Sequence, residues 1–179
     1  LLDMMPTTLA AAKAAAPENL EGNDLFNSDF KGYEKLFAAR DRCGDAPDRI
    51  RSVRTRDFKY IRNYRTDLPY MQHSGYKKAS YPMVTVMEVL HEAGTWDSPF
   101  MSETRPEEEL YDLRNDPHEL TNVAHEPEYQ EKLSQLRNDL NDWIKRTNDQ
   151  GAIDESLTVD LDAVKSEKWQ SFERRMKSR

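Results

Sequence analysis

Apolar residues recur along this chain in two periods. Tyr129, Leu133, Leu136, Leu140, Trp143 and Ile144 return every three or four positions, which lines one face of a helix. The pattern predicts a helix from Pro127 to about Asn148, ended by Gly151. Met83, Val86, Met87 and Leu90 repeat in the same way. They predict a second helix, started by Ser80-Tyr81-Pro82 and running to about His91–Ala93 before Gly94, with those four side chains as its buried stripe. Leu2, Met5, Leu9, Ala12 and Ala16 predict a third, over residues 3–16. Asp3 is its expected cap, and Pro6 is tolerable in a first turn. Its face is flat and rich in small residues, suited to packing on a sheet.

Period two takes over elsewhere. Glu109-Leu110-Tyr111-Asp112-Leu113 alternates as a half-buried strand does. Ile50–Thr55 and Phe58–Asn63 read as strands joined by a hairpin at Arg56-Asp57, and Glu34–Ala39 as a short strand. Residues 40–49 read as a polar loop. Asp116-Pro117-His118-Glu119 reads as a capped helix start directly after the last strand, with Asp116 accepting a first-turn N–H and Pro117 at the first helical position. Residues 17–32 resemble a linker, and 64–81 and 95–108 look irregular. Beyond Ile153 apolar residues are sparse until Trp169, Phe172 and Met176. That stretch reads as an arm that packs on a partner surface, or as a frayed tail.

Composition limits the core. Hydrophobic residues make up 37% of the 179 and charged residues 33%, so the core is modest and some segments are exposed. The net charge of −7 is unevenly spread. Arginines gather in 40–65 and acids in 103–128, which suggests a local anion-facing patch on an acidic body and argues against a nucleic-acid-binding domain. The single cysteine, Cys43, excludes an internal disulfide. No apolar run is long enough to cross a membrane, so no membrane partner is expected. The chain opens Leu1-Leu2-Asp3 without methionine, and the expectation is a piece of a longer polypeptide.

Candidate chemistry centres on Arg40, Arg42, Arg49, Arg51 and Arg54. Guanidinium groups grip sulfate, phosphate and carboxylate through paired hydrogen bonds. In a strand, Arg49 and Arg51 share one side while Ile50, Ser52 and Arg54 take the other. The simpler reading of this cluster is an internal ion-pair network with Asp41, Asp45 and Asp48. His73, His91, His118 and His125 lack metal-ligand spacing. Cys43 among arginines has the setting of a lowered pKa, but no partner for catalysis is evident. The Glu107–Glu109 run reads as solvated. Tyr64, Tyr70, Tyr76 and Tyr81 either stack on sugar rings or close a small core. No phosphate loop or nucleophile elbow is present.

Three stretches carry a family resemblance. They are Leu2-Asp3-Met4-Met5-Pro6-Thr7-Thr8-Leu9, the hairpin from Arg51 to Asn63, and Glu109 to Ala124. In order and spacing, over about residues 1–150, they resemble the C-terminal region of formylglycine-dependent (type I) sulfatases. Phe37-Ala38-Ala39-Arg40-Asp41-Arg42 is similar to the heparan N-sulfatase (sulfamidase)-like branch and related bacterial carbohydrate sulfatases.

The resemblance implies an α+β fold: a small antiparallel sheet of about four strands with a long C-terminal helix packed on it. This would be the C-terminal subdomain of an alkaline-phosphatase-like sulfatase fold. Residues 1–32 would be the last helix and linker of the preceding catalytic domain, 33–151 the subdomain, and 152–179 an arm or tail. The implied function is hydrolysis of sulfate esters, or N-sulfate, of a sulfated saccharide, with this part shaping the pocket. The implied partners are the N-terminal catalytic domain of the same polypeptide and the saccharide. Formylglycine and calcium are implied for the parent, which would be periplasmic, secreted or lysosomal if typical of exported sulfatases.

Cys43-Gly44-Asp45-Ala46-Pro47 lacks the family's nucleophile pattern, as does Ser52-Val53-Arg54-Thr55-Arg56. No catalytic residue and no metal ligand is therefore carried over, and the isolated chain is expected to be inactive. The resemblance shifts the arginine loop toward function, making Arg40, Asp41, Arg42, Asp48 and Arg49 candidate substrate-binding residues at a pocket rim. Two alternatives stand beside this reading. One is a non-catalytic module that holds anionic glycans. The other is a structural domain that uses the Trp169–Met176 arm for oligomer contacts.

Overall fold

The computed structural model describes residues 2–43, 46–72 and 80–153. Asp45, His73, Tyr76 and the Trp169–Met176 arm lie outside the described residues, as does the Cys43 side chain. The chain divides into two compact units, Leu1–Leu36 and Phe37–Arg179.

The first unit carries helix α1, Met4–Ala11, shorter than the expected 3–16. Lys13 takes a left-handed φ of 53°. The Ala14 N–H reaches Leu9 O at 2.9 Å and the Lys13 N–H reaches Ala10 O at 3.0 Å, a pairing that closes a helix C-terminus. Asp3 does not cap the helix. Its carboxylate accepts from the Asn23 N–H at 2.9 Å and from the Tyr33 hydroxyl at 2.5 Å instead. The Tyr33 hydrogen bond, more than the Asn23 amide, holds the Asp3 carboxyl below its usual range.

The second unit holds an antiparallel sheet, in the order β1 (Leu36–Cys43), β2 (Ala46–Arg54), β3 (Phe58–Asn63) and β4 (Glu108–Asp112). Val53 pairs with Tyr60 and Tyr60 with Leu110, so these three share one face. Helix α3, Gln130–Arg146, packs there through Leu133, Leu136 and Leu140. Phe37 stacks on Trp143 with ring centroids 5.3 Å apart. The face expected for this helix is the face that is buried. Each fully buried leucine contributes about 1.5–3 kcal/mol.

Gly151 does not end α3. Asn148, at φ 49°, turns the chain three residues earlier, with the Asp149 N–H on Ile144 O at 3.0 Å. Gly151 meets a different demand. A Cβ there would stand 1.7 Å from the Arg51 Nη2 and 2.6 Å from an Asp41 carboxylate oxygen.

Three further expectations change. Residues 40–43 and 46–49 are strand, not loop, because the partners that satisfy the hairpin's charges lie far off in sequence. Asp48 meets Arg105, 57 residues on, and Arg51 meets Asp149, 98 residues on. Asp116 to Glu119 forms a turn, not a helix start. The Asp116 carboxylate accepts from the N–H groups of Leu120 and Thr121 at 2.7 and 2.8 Å. Glu119 sits at φ 57°, clasped by Arg54 at 2.9 Å and Lys59 at 2.5 Å. Asn122 follows, its carboxamide accepting from Leu110 N–H at 2.9 Å and donating to Glu108 O at 3.1 Å.

Helix α2, Pro82–Glu92, forms where expected, but it buries no residue. Met83, Val86 and Leu90 are exposed. The stripe exists without a cover.

Candidate functional site

The β1–β2 hairpin gathers its charges into two constellations. Arg51 is the hub of the first. Its guanidinium donates to Asp41 at 2.7 and 3.1 Å and to Asp149 at 2.5 and 2.7 Å. Only 1% of its side chain is exposed. Two bidentate carboxylates offset the desolvation of this buried cation. They raise its pKa, the Asp149 hydrogen bonds most strongly. Arg51 in turn holds the Asp149 carboxyl down at about 2, helped by the Gly151 N–H at 2.8 Å. The turn after α3 delivers Asp149, and the absence of a side chain at residue 151 leaves room for the guanidinium.

Asp48 is the hub of the second. Its carboxylate accepts from Arg105 at 3.0 and 2.5 Å, from Gln72 at 2.9 Å and from the Arg49 N–H at 2.8 Å. Arg40 approaches at 3.8 Å. Arg105 and Asp48 are both buried, so this pair is sealed, and four donors saturate the carboxylate. Arg105 also donates to Arg65 O at 3.2 Å, tying the segment before β4 to the segment after β3.

The five candidate residues therefore do not form one cluster. Asp41 belongs to the Arg51 constellation, and Arg40 and Asp48 to the Arg105 constellation. Arg42 is half-buried on β1 and also engaged. Arg49 lies over the Tyr64 ring at 3.9 Å from its centroid, and Arg62 approaches the same ring at 5.7 Å. Arg40 and Arg49 share one property: the Nε of each is buried and has no hydrogen-bond partner. A buried donor without a partner is costly, so an oxygen acceptor brought to either Nε would be stabilising.

Sequence reasoning missed Arg105 and Gln72 as members of this assembly, and the Tyr64 ring, a candidate for stacking on sugars, lies under Arg49. The one available signal was Arg105 itself, a lone arginine inside the acidic stretch before β4. Among the described residues no three His, Cys, Asp or Glu side chains converge on a metal-sized site. His91 instead pairs with Asp97 at 3.1 Å.

No family model matches the chain. Among curated proteins it is 35% identical over 162 residues to an ulvan-active sulfatase of Formosa agariphila, covering 88% of this chain and 27% of the relative. A second ulvan-active sulfatase of the same organism is 28% identical over 155 residues, covering 82% of this chain and 29% of that protein. Among solved structures, a 2-O GAG sulfatase superposes with a TM-score of 0.53 at 22% identity, over 82% of this chain and 25% of that one. The chain has the sequence and fold of a sulfatase C-terminal region. Its four-stranded antiparallel sheet and long C-terminal helix have the fold of the matching part of that solved structure.

This sulfatase region spans between a quarter and a third of the length of the curated relatives it matches. The Arg51 and Asp48 constellations, the α3 core and the β3–β4 join are thus the internal architecture of a sulfatase C-terminal sheet. None of the described helices is long and apolar enough to cross a membrane.

Proposed function

We propose that this chain is the C-terminal part of an enzyme that hydrolyses sulfate groups of a sulfated polysaccharide. The carrying observation is the 35% identity to an ulvan-active sulfatase across 88% of the chain. On this reading the rest of the polypeptide supplies the formylglycine nucleophile and the calcium ion. Residues 1–32 end the catalytic domain and 33–151 form the subdomain beside the pocket.

The β1–β2 hairpin contributes to the pocket rim through Arg40, Arg42 and Arg49, with Asp41 and Asp48 holding the strands that carry them. What supports this is the buried, unpartnered Nε of both Arg40 and Arg49. Such groups suit sulfate or uronate oxygens.

The test is sulfate release from ulvan and other sulfated polysaccharides by the full polypeptide, read by ion chromatography. Turnover by the full polypeptide and none by these 179 residues alone supports the reading. Glycan binding with no turnover by the full polypeptide would replace it with a binding module. Arg49→Ala is expected to raise KM on the true substrate, and unchanged kinetics would remove the hairpin from the site.

A further inference from the structure

Helix α2 carries an apolar stripe that the described residues leave uncovered. Met83, Val86 and Leu90 stand at intervals of three and four, so they share one face. They are 65%, 48% and 40% exposed, and Val89 beside them is 56% exposed. Met87 lies on the same stripe and is half-buried. Thr85, Glu88 and Glu92 take the opposite side of the helix. Phe100, in the 3-10 turn Pro99–Met101 that follows, adds another exposed ring at 58%. An amphipathic helix whose apolar side meets water marks an interaction surface.

We infer that this stripe docks on the catalytic portion of the same polypeptide. The inference rests on the proposed function, which places that portion upstream. Three observations select this occupant. The curated relatives extend over more than three times the length that the chain matches, so most of the protein that would surround α2 lies outside these residues. The second is area. An 11-residue helix offers a face about 16 Å long and about 10 Å wide, on the order of 200 Å². A stable complex between separate chains buries about 800 Å² on each partner. A surface this small does not hold a second copy, but it suffices within one chain, where the tether supplies a high effective concentration. The third is charge. The helix contains no lysine or arginine, and its polar side carries Glu88 and Glu92, which disfavours an anionic lipid surface.

α2 also lies in the long connection between β3 and β4, between segments that Arg105 pins to the sheet through Asp48 and Arg65 O. Docking of the stripe would therefore fix the Asp48 constellation against the catalytic portion.

The experiment is face-resolved cysteine labelling of the full polypeptide in a Cys43→Ser background. Val86→Cys and Leu90→Cys are compared with Thr85→Cys on the opposite side of the same helix. Maleimide modification is expected at least 10-fold slower at 86 and 90 than at 85. Equal rates at the three positions overturn the inference. Protection that disappears on dilution, as the mass falls to that of a monomer, assigns the stripe to a second copy and also overturns it. Hydrogen exchange of the unmodified polypeptide covers the case in which the variants misfold. Amides of 82–92 should then be protected as strongly as those of α3, and free exchange there overturns the inference. Face-specific protection without sulfate release retires the proposed activity and leaves the docking in place. Sulfate release with equal labelling retires the docking alone.

Discussion

The two faces of the sheet are stabilised by different means. The face under α3 has an apolar centre of Val53, Tyr60, Leu110, Leu133, Leu136 and Leu140, with ion pairs at its rim. There Glu108 is held by Arg137 at 2.7 and 2.8 Å, and Arg51 by its two aspartates. The opposite face sets buried polar pairs among the half-buried Ile50 and Ile61. Asn63 and Glu109 are both buried and joined at 2.6 Å, and the Tyr111 hydroxyl donates to Glu109 at 2.5 Å. Asp48 and Arg105 lie beyond them. Burial and the neighbouring Glu109 carboxylate push the Tyr111 and Tyr70 hydroxyls upward. An apolar face tolerates loss of one contact among many. A polar face depends on each partner being present, because an unpaired buried charge has nothing to offset its desolvation.

That contrast sets the order of expected effects. Arg105→Ala strands the buried Asp48 carboxylate and should cost about 3–5 kcal/mol in denaturant unfolding. Replacing both Asp48 and Arg105 with leucine-sized apolar residues should recover most of that loss. A double variant as unstable as the single one would remove the distinction between the faces. Leu136→Ala, on the α3 side, should cost about 2–5 kcal/mol through lost burial and a cavity, with no partner change able to restore it.

Gly151→Ala places a methyl group inside the Arg51 guanidinium and should cost about 1–3 kcal/mol. The loss should shrink when Arg51 is already replaced by a shorter residue, which a double-mutant cycle reads directly.

Acid is the gentler probe of the rim. Glu108, Asp112 and Asp149 are each held at about 2 by a neighbouring arginine, from ordinary values of 4.5, 3.8 and 3.8. A carboxylate whose pKa is lower when folded contributes its full stabilisation above the unfolded value and loses it as pH falls toward the folded one. Stability should therefore decline between about pH 4.5 and pH 2. Glu108→Gln should flatten the decline. The smallest effect belongs to the exposed pair of Arg54 and Glu119, where Arg54→Ala should change stability by about 0.2–1 kcal/mol.

The same contrast explains what could be read from the sequence. Leu133, Leu136 and Leu140 announce α3 because their burial follows from a local period. Phe58–Asn63 and Glu109–Leu113 announce two strands in the same way. Residues 40–43 and 46–49 hid their strands, since an aspartate saturated by an arginine 57 residues away looks locally like a loop residue. Glu119 misled for a related reason. Its spacing from Asp116 suits a capping box, but its carboxylate is taken by Arg54 and Lys59 from the neighbouring strands. At the candidate site the arginines were legible as anion-binding chemistry. Their division between two aspartate hubs was not, because it depends on which strand face each side chain takes and on Arg105 and Asp149 arriving from elsewhere.

Asn122 completes the account of the sheet. β4 is its last strand, and the outward N–H and C=O of Leu110 and the C=O of Glu108 are met by the Asn122 carboxamide and the Val123 N–H. One side chain thus imitates a neighbouring strand and blunts an edge that would otherwise template strand addition from another molecule. Asn122→Ala would cost little packing, yet it would leave the edge open to swapped or stacked assemblies. The amide at this corner keeps that edge paired within its own chain.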